Sequence, residues 1–135
     1  VIVEYLDGLP GGPRLIPEGG AARLRALTLQ ALADGLCDAA VALRYETAVR
    51  PEALRWPEWS AGQTTKVVAS LDTLERAWLS HLASTLDIGV IATACALGYL
   101  DYRFAALGWR EGRPGLAAWY QGFAARPSMQ ATAIA

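Results

Sequence analysis

Gln30, Asp34 and Asp38 are spaced four apart in a stretch otherwise dominated by Ala, Leu and Arg, and Cys37 lies beside them. On a helix this spacing stacks the three polar side chains on one face. Two carboxylates four apart can tune each other's protonation, but acid–base catalysis also needs a partner base or nucleophile, and none accompanies them. The stripe therefore reads either as the water-facing side of a helix or as a cleft wall that contacts ligand. His81 is the single histidine. It stands near the end of an amphipathic segment with no nucleophile paired to it, and reads as a solvated helix-end residue. With no second His and no Cys/His spacing, a metal site is unsupported. Gly11-Gly12 and Gly19-Gly20 do not lie between a strand and a helix, so they read as turn glycines and not as a phosphate cradle. No complete active site is legible.

Composition narrows the class. Twelve basic residues against thirteen acidic ones leave a net charge of -1, so no global field attracts nucleic acid or an anionic membrane. Arg103, Arg110, Arg113 and Arg126 make the last third locally basic. Such scattered arginines are expected to pair with helix C-termini or to cover apolar surface with their stems. The two cysteines, Cys37 and Cys95, sit in apolar runs, which fits a reducing compartment better than a disulfide framework. No uninterrupted apolar run approaches a membrane span. These features predict a soluble, cytoplasmic domain with neither nucleic acid nor membrane as a partner.

The elements that would position these residues are helices. Residues 7–20 hold five of the thirteen Gly and three of the seven Pro, and must be loop or linker. The six residues before them, Val-Ile-Val-Glu-Tyr-Leu, are too few to pack alone. Residues 21–49 contain no Pro and are apolar nearly all round, as in a helix buried between others. A straight helix of that length would span roughly 45 Å, so a bend or break is expected near Gly35. Val67, Val68, Leu71, Leu74, Trp78 and Leu82 recur at helical spacing within residues 59–82. Ser84-Thr85-Leu86-Asp87 then has the form of a capping box, with Ser84 as the cap and Asp87 reaching back to it. Residues 88–100 behind it carry no charge and should form the most buried helix. Pro114 opens the last helix, with Leu116, Trp119, Tyr120 and Phe123 on its apolar face, and Pro127 ends it. No segment shows the sustained alternation of a strand. The expectation is an all-α bundle of four to five helices.

In this order and spacing the segments resemble the bacterial glutathione S-transferase family. Residues 1–7 look like the last helix of that family's thioredoxin-like domain, and Pro13-Arg14-Leu15-Ile16-Pro17 is similar to its interdomain linker. Residues 33–46 resemble the first long helix of its all-helical C-terminal domain. The strongest likeness runs from Ser84-Thr85-Leu86-Asp87-Ile88 to Ala96-Leu97-Gly98-Tyr99-Leu100-Asp101, similar to the family's buried helix with its capping box. Arg113 through Ser128 is similar to the terminal helix and tail. Leu86 stands where the family commonly has Ala, and the Gly often found before the box is absent.

The resemblance implies three parts: residues 1–6 as the remnant of an N-terminal thioredoxin-like domain, residues 7–20 as linker, and residues 21–135 as the helical domain. It also implies that the glutathione-activating Ser, Tyr or Cys, the cis-Pro and the acidic-Ser pair lie upstream of Val1. This chain would then hold no catalytic residue and be inactive alone, while its parent conjugates or reduces small hydrophobic electrophiles with glutathione in detoxification, as a homodimer. By the same resemblance Gln30, Asp34, Cys37 and Asp38 line the electrophile pocket. The alternative is a non-catalytic member of the family serving protein interaction or stress regulation.

Overall fold

The computed structural model describes residues 1–133, and every regular element among them is helical. They are α1 (Ile2–Asp7), α2 (Gly20–Arg44), α3 (Pro57–Thr73), α4 (Leu79–Ser84), α5 (Ile88–Arg103), α6 (Pro114–Ala124) and α7 (Pro127–Ala131). The expected bundle is there: α2, the α3–α4 rod, α5 and α6 form its body, with the short α1 and α7 at either end. A wide π-type turn over Leu74–Trp78 joins α3 to α4, so the amphipathic stretch read from the sequence runs through without a loop.

The first long helix departs from expectation twice. It runs through Gly35 without a break, and the change of pitch comes instead at a π-type turn over Tyr45–Val49. Nothing approaches the place where a Cβ on Gly35 would sit, so this glycine answers no packing demand. The helix is also buried on one side only. Ala26, Leu29, Ala33, Leu36, Ala40 and Leu43, spaced three and four apart, face the core, whereas Leu24 and Val41 are exposed. By length and composition residues 20–49 could cross a membrane. The buried stripe accounts for that apolar character, because it packs against α3 and α5.

The core lies where α2, α3, α5 and α6 meet, around Leu36, Leu71, Leu97, Leu100, Trp109 and Leu116. α5 holds eight buried residues, as its lack of internal charge predicts. Gly89 lets it approach α2 closely: a Cβ there would lie 2.6 Å from the Ala26 carbonyl oxygen and 2.7 Å from Leu29 Cβ. Ile16, Ala26 and Ile88 form a smaller cluster that fastens residues 8–19 to the body.

The capping box is corrected. Ser84 belongs to the end of α4, where its hydroxyl donates to the Ser80 carbonyl (2.7 Å). The cap is Asp87 itself, in extended backbone, with Oδ1 accepting from the Val90 N–H (3.0 Å). The Ile88 N–H donates to the Leu15 carbonyl (3.0 Å), so the Gly- and Pro-rich segment before α2 satisfies a second orphan donor. The physical reason for the shift is that α4 runs on through Ser84 and α5 begins only at Ile88, and His81 partners the capping carboxylate. Its Nε2 lies 2.8 Å from Asp87 Oδ2, with side chains only 10% and 4% exposed, and Trp78 meets the ring edge-on. His81 is therefore a buried partner of the cap and not a solvated helix end. It bonds Asp87 Oδ2 while Oδ1 caps the start of α5.

Other termini are satisfied from neighbouring elements. The Glu75 carboxylate accepts from the Gly115 and Leu116 N–H groups (3.1 and 2.6 Å), capping α6 across the bundle. Pro127 ends one helix and opens another, α7. α1 buries none of its residues, although Asp7 accepts from the Leu15 and Ile16 N–H groups.

Candidate functional site

The four arginines of the last third are engaged within the domain. Arg110 makes a bidentate pair with Asp101 (2.6 and 2.7 Å) and lies over the Trp109 ring at 4.3 Å. Arg113 binds Asp72 (2.8 Å) and the Trp109 carbonyl (3.0 Å). Arg103 and Arg126 cover Tyr102 and Phe123. Two of the four pair with carboxylates and two set their guanidinium groups over aromatic rings, where pairing with helix C-termini or stem packing was expected.

A concavity of about 440 Å³ opens between α5, α6 and α7. Cys95, Gly98, Asp101 and Tyr102 line it from α5, Tyr120 and Ala124 from α6, and Met129 and Gln130 from α7, with Thr132 and Ala133 beyond. The volume suits a small organic molecule. The wall is built locally by helix spacing. Cys95, Gly98 and Tyr102 recur at three and four, as do Tyr120 and Ala124, so each helix turns one face to the opening.

Asp101 is the one carboxylate in this lining, and it is committed elsewhere. Oδ1 also accepts from Trp109 Nε1 (2.7 Å), adding to the two bonds from Arg110. Burial opposes its ionisation, but the bonds from Arg110 and Trp109, with the Arg110 charge, outweigh burial and hold its carboxyl below the usual range. Tyr120 packs edge-on against Trp109, with ring centroids 5.9 Å apart. Burial first, then the Asp101 charge, pushes its phenol up, so it stays protonated at neutral pH.

The residues singled out from the sequence lie on the adjacent helix. Gln30, Asp34, Cys37 and Asp38 do share one side of α2; Asp34 and Asp38 are exposed, Gln30 and Cys37 half-buried. They stand outside the lining of the concavity. Burial first, then Asp34, Cys95 and Asp38, push the Cys37 thiol up to about 11. Burial also raises the Cys95 thiol. Among the described residues no cluster of His, Cys, Asp or Glu could hold a metal ion.

Asp101 and Tyr120 were open to sequence reasoning only in part. Asp101 is conspicuous as the lone acid near the end of an uncharged helix, but its partners Trp109 and Arg110 follow a turn whose path no spacing rule predicts. Tyr120 sits in an apolar helical stripe, where an aromatic residue reads as core.

This all-helical bundle with its buried central helix has the fold of a glutathione S-transferase C-terminal domain. The family model of that domain matches residues 57–122. A glutathione transferase family member from Pseudomonas fluorescens Pf-5, solved with bound S-(propanoic acid)-glutathione, is 50% identical over all of this chain and 69% of its own, with a TM-score of 0.97. A glutathione S-transferase from Methylobacillus flagellatus KT, solved with glutathione bound, is 34% identical at a TM-score of 0.89 and is covered over 68%. The GST-like protein YibF of Escherichia coli (strain K12) is 34% identical over 98% of this chain and 66% of its own length. The chain belongs to the glutathione S-transferase family and forms its C-terminal helical domain. It spans about two thirds of the length of these relatives.

Proposed function

We propose that this chain is the electrophile-facing half of a glutathione S-transferase-like enzyme whose N-terminal thioredoxin-like domain holds glutathione. The observation that carries the reading is the concavity between α5, α6 and α7, walled mainly by apolar surface and free of uncommitted charge. Apolar walls accept varied small hydrophobic molecules without demanding one hydrogen-bond pattern. Two relatives solved with glutathione or its conjugate support the nature of the second substrate. The exposed apolar side chains of Val1 and of Ile2, Tyr5 and Leu6 on α1 support a partner domain at that end.

In this reading the glutathione thiolate attacks the electrophile, an S–C bond forms, and the leaving group or adjacent π-bond takes the displaced electron pair. The residues of this chain bind and orient the electrophile and exclude water. Gln30, Asp34, Cys37 and Asp38, on the neighbouring α2 outside the concavity, are the second candidate surface for the electrophile. Neither the Cys37 nor the Cys95 thiol serves as the nucleophile, since both are pushed up and carry little thiolate at neutral pH. The parent is a cytoplasmic homodimer acting in detoxification.

The test compares the full-length parent with the 135-residue chain in conjugation of glutathione to 1-chloro-2,4-dinitrobenzene and in retention on immobilised glutathione. The parent should turn over and be retained; the chain should do neither. Turnover by the chain alone would refute the placement of the glutathione site. A parent that folds and binds glutathione but conjugates or reduces no electrophile would favour a non-catalytic interaction role.

A further inference from the structure

We propose that the Tyr120 hydroxyl is a specificity-determining hydrogen-bond donor in the concavity, selecting neutral electrophiles that carry an oxygen acceptor such as a carbonyl or nitro group. This rests on the electrophile-pocket reading above. Tyr120 is only 8% exposed. Its ring is held edge-on to Trp109, with the Arg110 guanidinium 5.8 Å from its centroid. Its hydroxyl reaches the wall of α5, where a Cβ on Gly98 would lie 3.0 Å from it. That oxygen makes no hydrogen bond among the described residues. No deeply buried side-chain nitrogen or oxygen among the described residues lacks a partner, so this oxygen keeps access to solvent, and Tyr120 and Gly98 both line the concavity.

A solvent-accessible donor on a concave wall that makes no protein hydrogen bond rewards a ligand that displaces its water and supplies an acceptor, and penalises an apolar ligand that covers it without one. The phenol is a better donor than acceptor, because its oxygen lone pair is delocalised into the ring. Its raised pKa keeps the proton on across the physiological range. Asp101 cannot compete for that role or recruit a cation, because Arg110 and Trp109 occupy its oxygens. The ligand that fits is neutral, mostly apolar and carries one acceptor oriented toward α6.

The probes are acetophenone and ethylbenzene, which share a ring and differ in the carbonyl. Their dissociation constants are measured by ligand-observed NMR with the wild type, Tyr120→Phe and Ala124→Trp. The ratio of the two constants should favour acetophenone in the wild type and fall about three- to tenfold in Tyr120→Phe, the value of one neutral hydrogen bond. Ethylbenzene should bind both proteins alike, and Ala124→Trp, which fills the concavity, should abolish binding of both probes. An unchanged ratio in Tyr120→Phe, with binding still lost in Ala124→Trp, would overturn the donor role and leave the pocket reading standing. Loss of ethylbenzene from Tyr120→Phe would also overturn it, since the hydroxyl would then be structural. Binding that survives Ala124→Trp, or is absent from the wild type, would overturn the pocket reading as well.

Discussion

Replacing Asp87 with Ala removes two things at once from the start of α5. The first is the cap on the Val90 N–H, worth about 1 kcal/mol in comparable helices. The second is the partner of His81, whose side chain is 10% exposed and would be left facing a buried gap. An orphaned buried polar group costs roughly 1–3 kcal/mol, so the total is about 2–4 kcal/mol. A domain of 135 residues unfolds with an entropy of about 0.28 kcal/mol per kelvin at its midpoint. The expected fall in Tm is therefore about 7–14 °C, read by differential scanning calorimetry at pH 7. Ser84→Ala should shift it by less than about 2 °C, because that hydroxyl only bonds back to the preceding turn. A cycle with His81→Leu separates the contributions: in that background Asp87→Ala should cost only the cap, leaving a coupling of about 1–3 kcal/mol. Equal effects of Ser84→Ala and Asp87→Ala would refute the assignment of the cap. A coupling near zero would refute the role given to His81.

Cys37, with its thiol pushed up to about 11 from an ordinary 9.0, should react with iodoacetamide about a hundredfold more slowly at pH 8 than an ordinary cysteine, through thiolate fraction alone. Its rate should keep climbing to pH 11; a plateau by pH 9 in a Cys95→Ser background would contradict this. Gly89→Ala should destabilise by at least about 1–3 kcal/mol in urea unfolding, since the added methyl meets the backbone of α2 and cannot be relieved by a rotamer change. A neutral effect would mean that α2 and α5 are less closely docked than described. Asp101 ionises more readily folded than unfolded, so its contribution is present above its ordinary value of 3.8 and is lost as pH falls through the lowered folded value. The Tm gap between the wild type and Asp101→Asn should accordingly close as pH is taken from 6 down below 3.8, and a constant gap would overturn this.

Local rules carried the architecture far. Pro51, Pro57, Pro114 and Pro127 punctuate the helices because each lacks an N–H and fixes its own φ, properties that need no neighbour to act. The uncharged run from Ile88 to Leu100 is largely buried, because it carries no ionised side chain to favour water, and only Cys95 in it is exposed. The order of these segments was specific enough to point to the glutathione S-transferase family, which the relatives establish.

What spacing could not supply was partnership between distant residues. The capping-box pattern puts the cap at Ser84 with Asp87 reaching back to it, whereas the fold makes Asp87 the cap and sets His81 against its carboxylate. Glu75 caps a helix forty residues away, and the Leu15 carbonyl serves the first N–H of α5. The polar stripe of α2 was visible from its period of four, but the concavity formed on the neighbouring helices, because its walls come from three segments that turns alone bring together. Short-range patterns record the backbone's own preferences; which side chain closes a helix, and which hydroxyl faces an opening, is decided by whatever the tertiary fold sets within 3 Å of it.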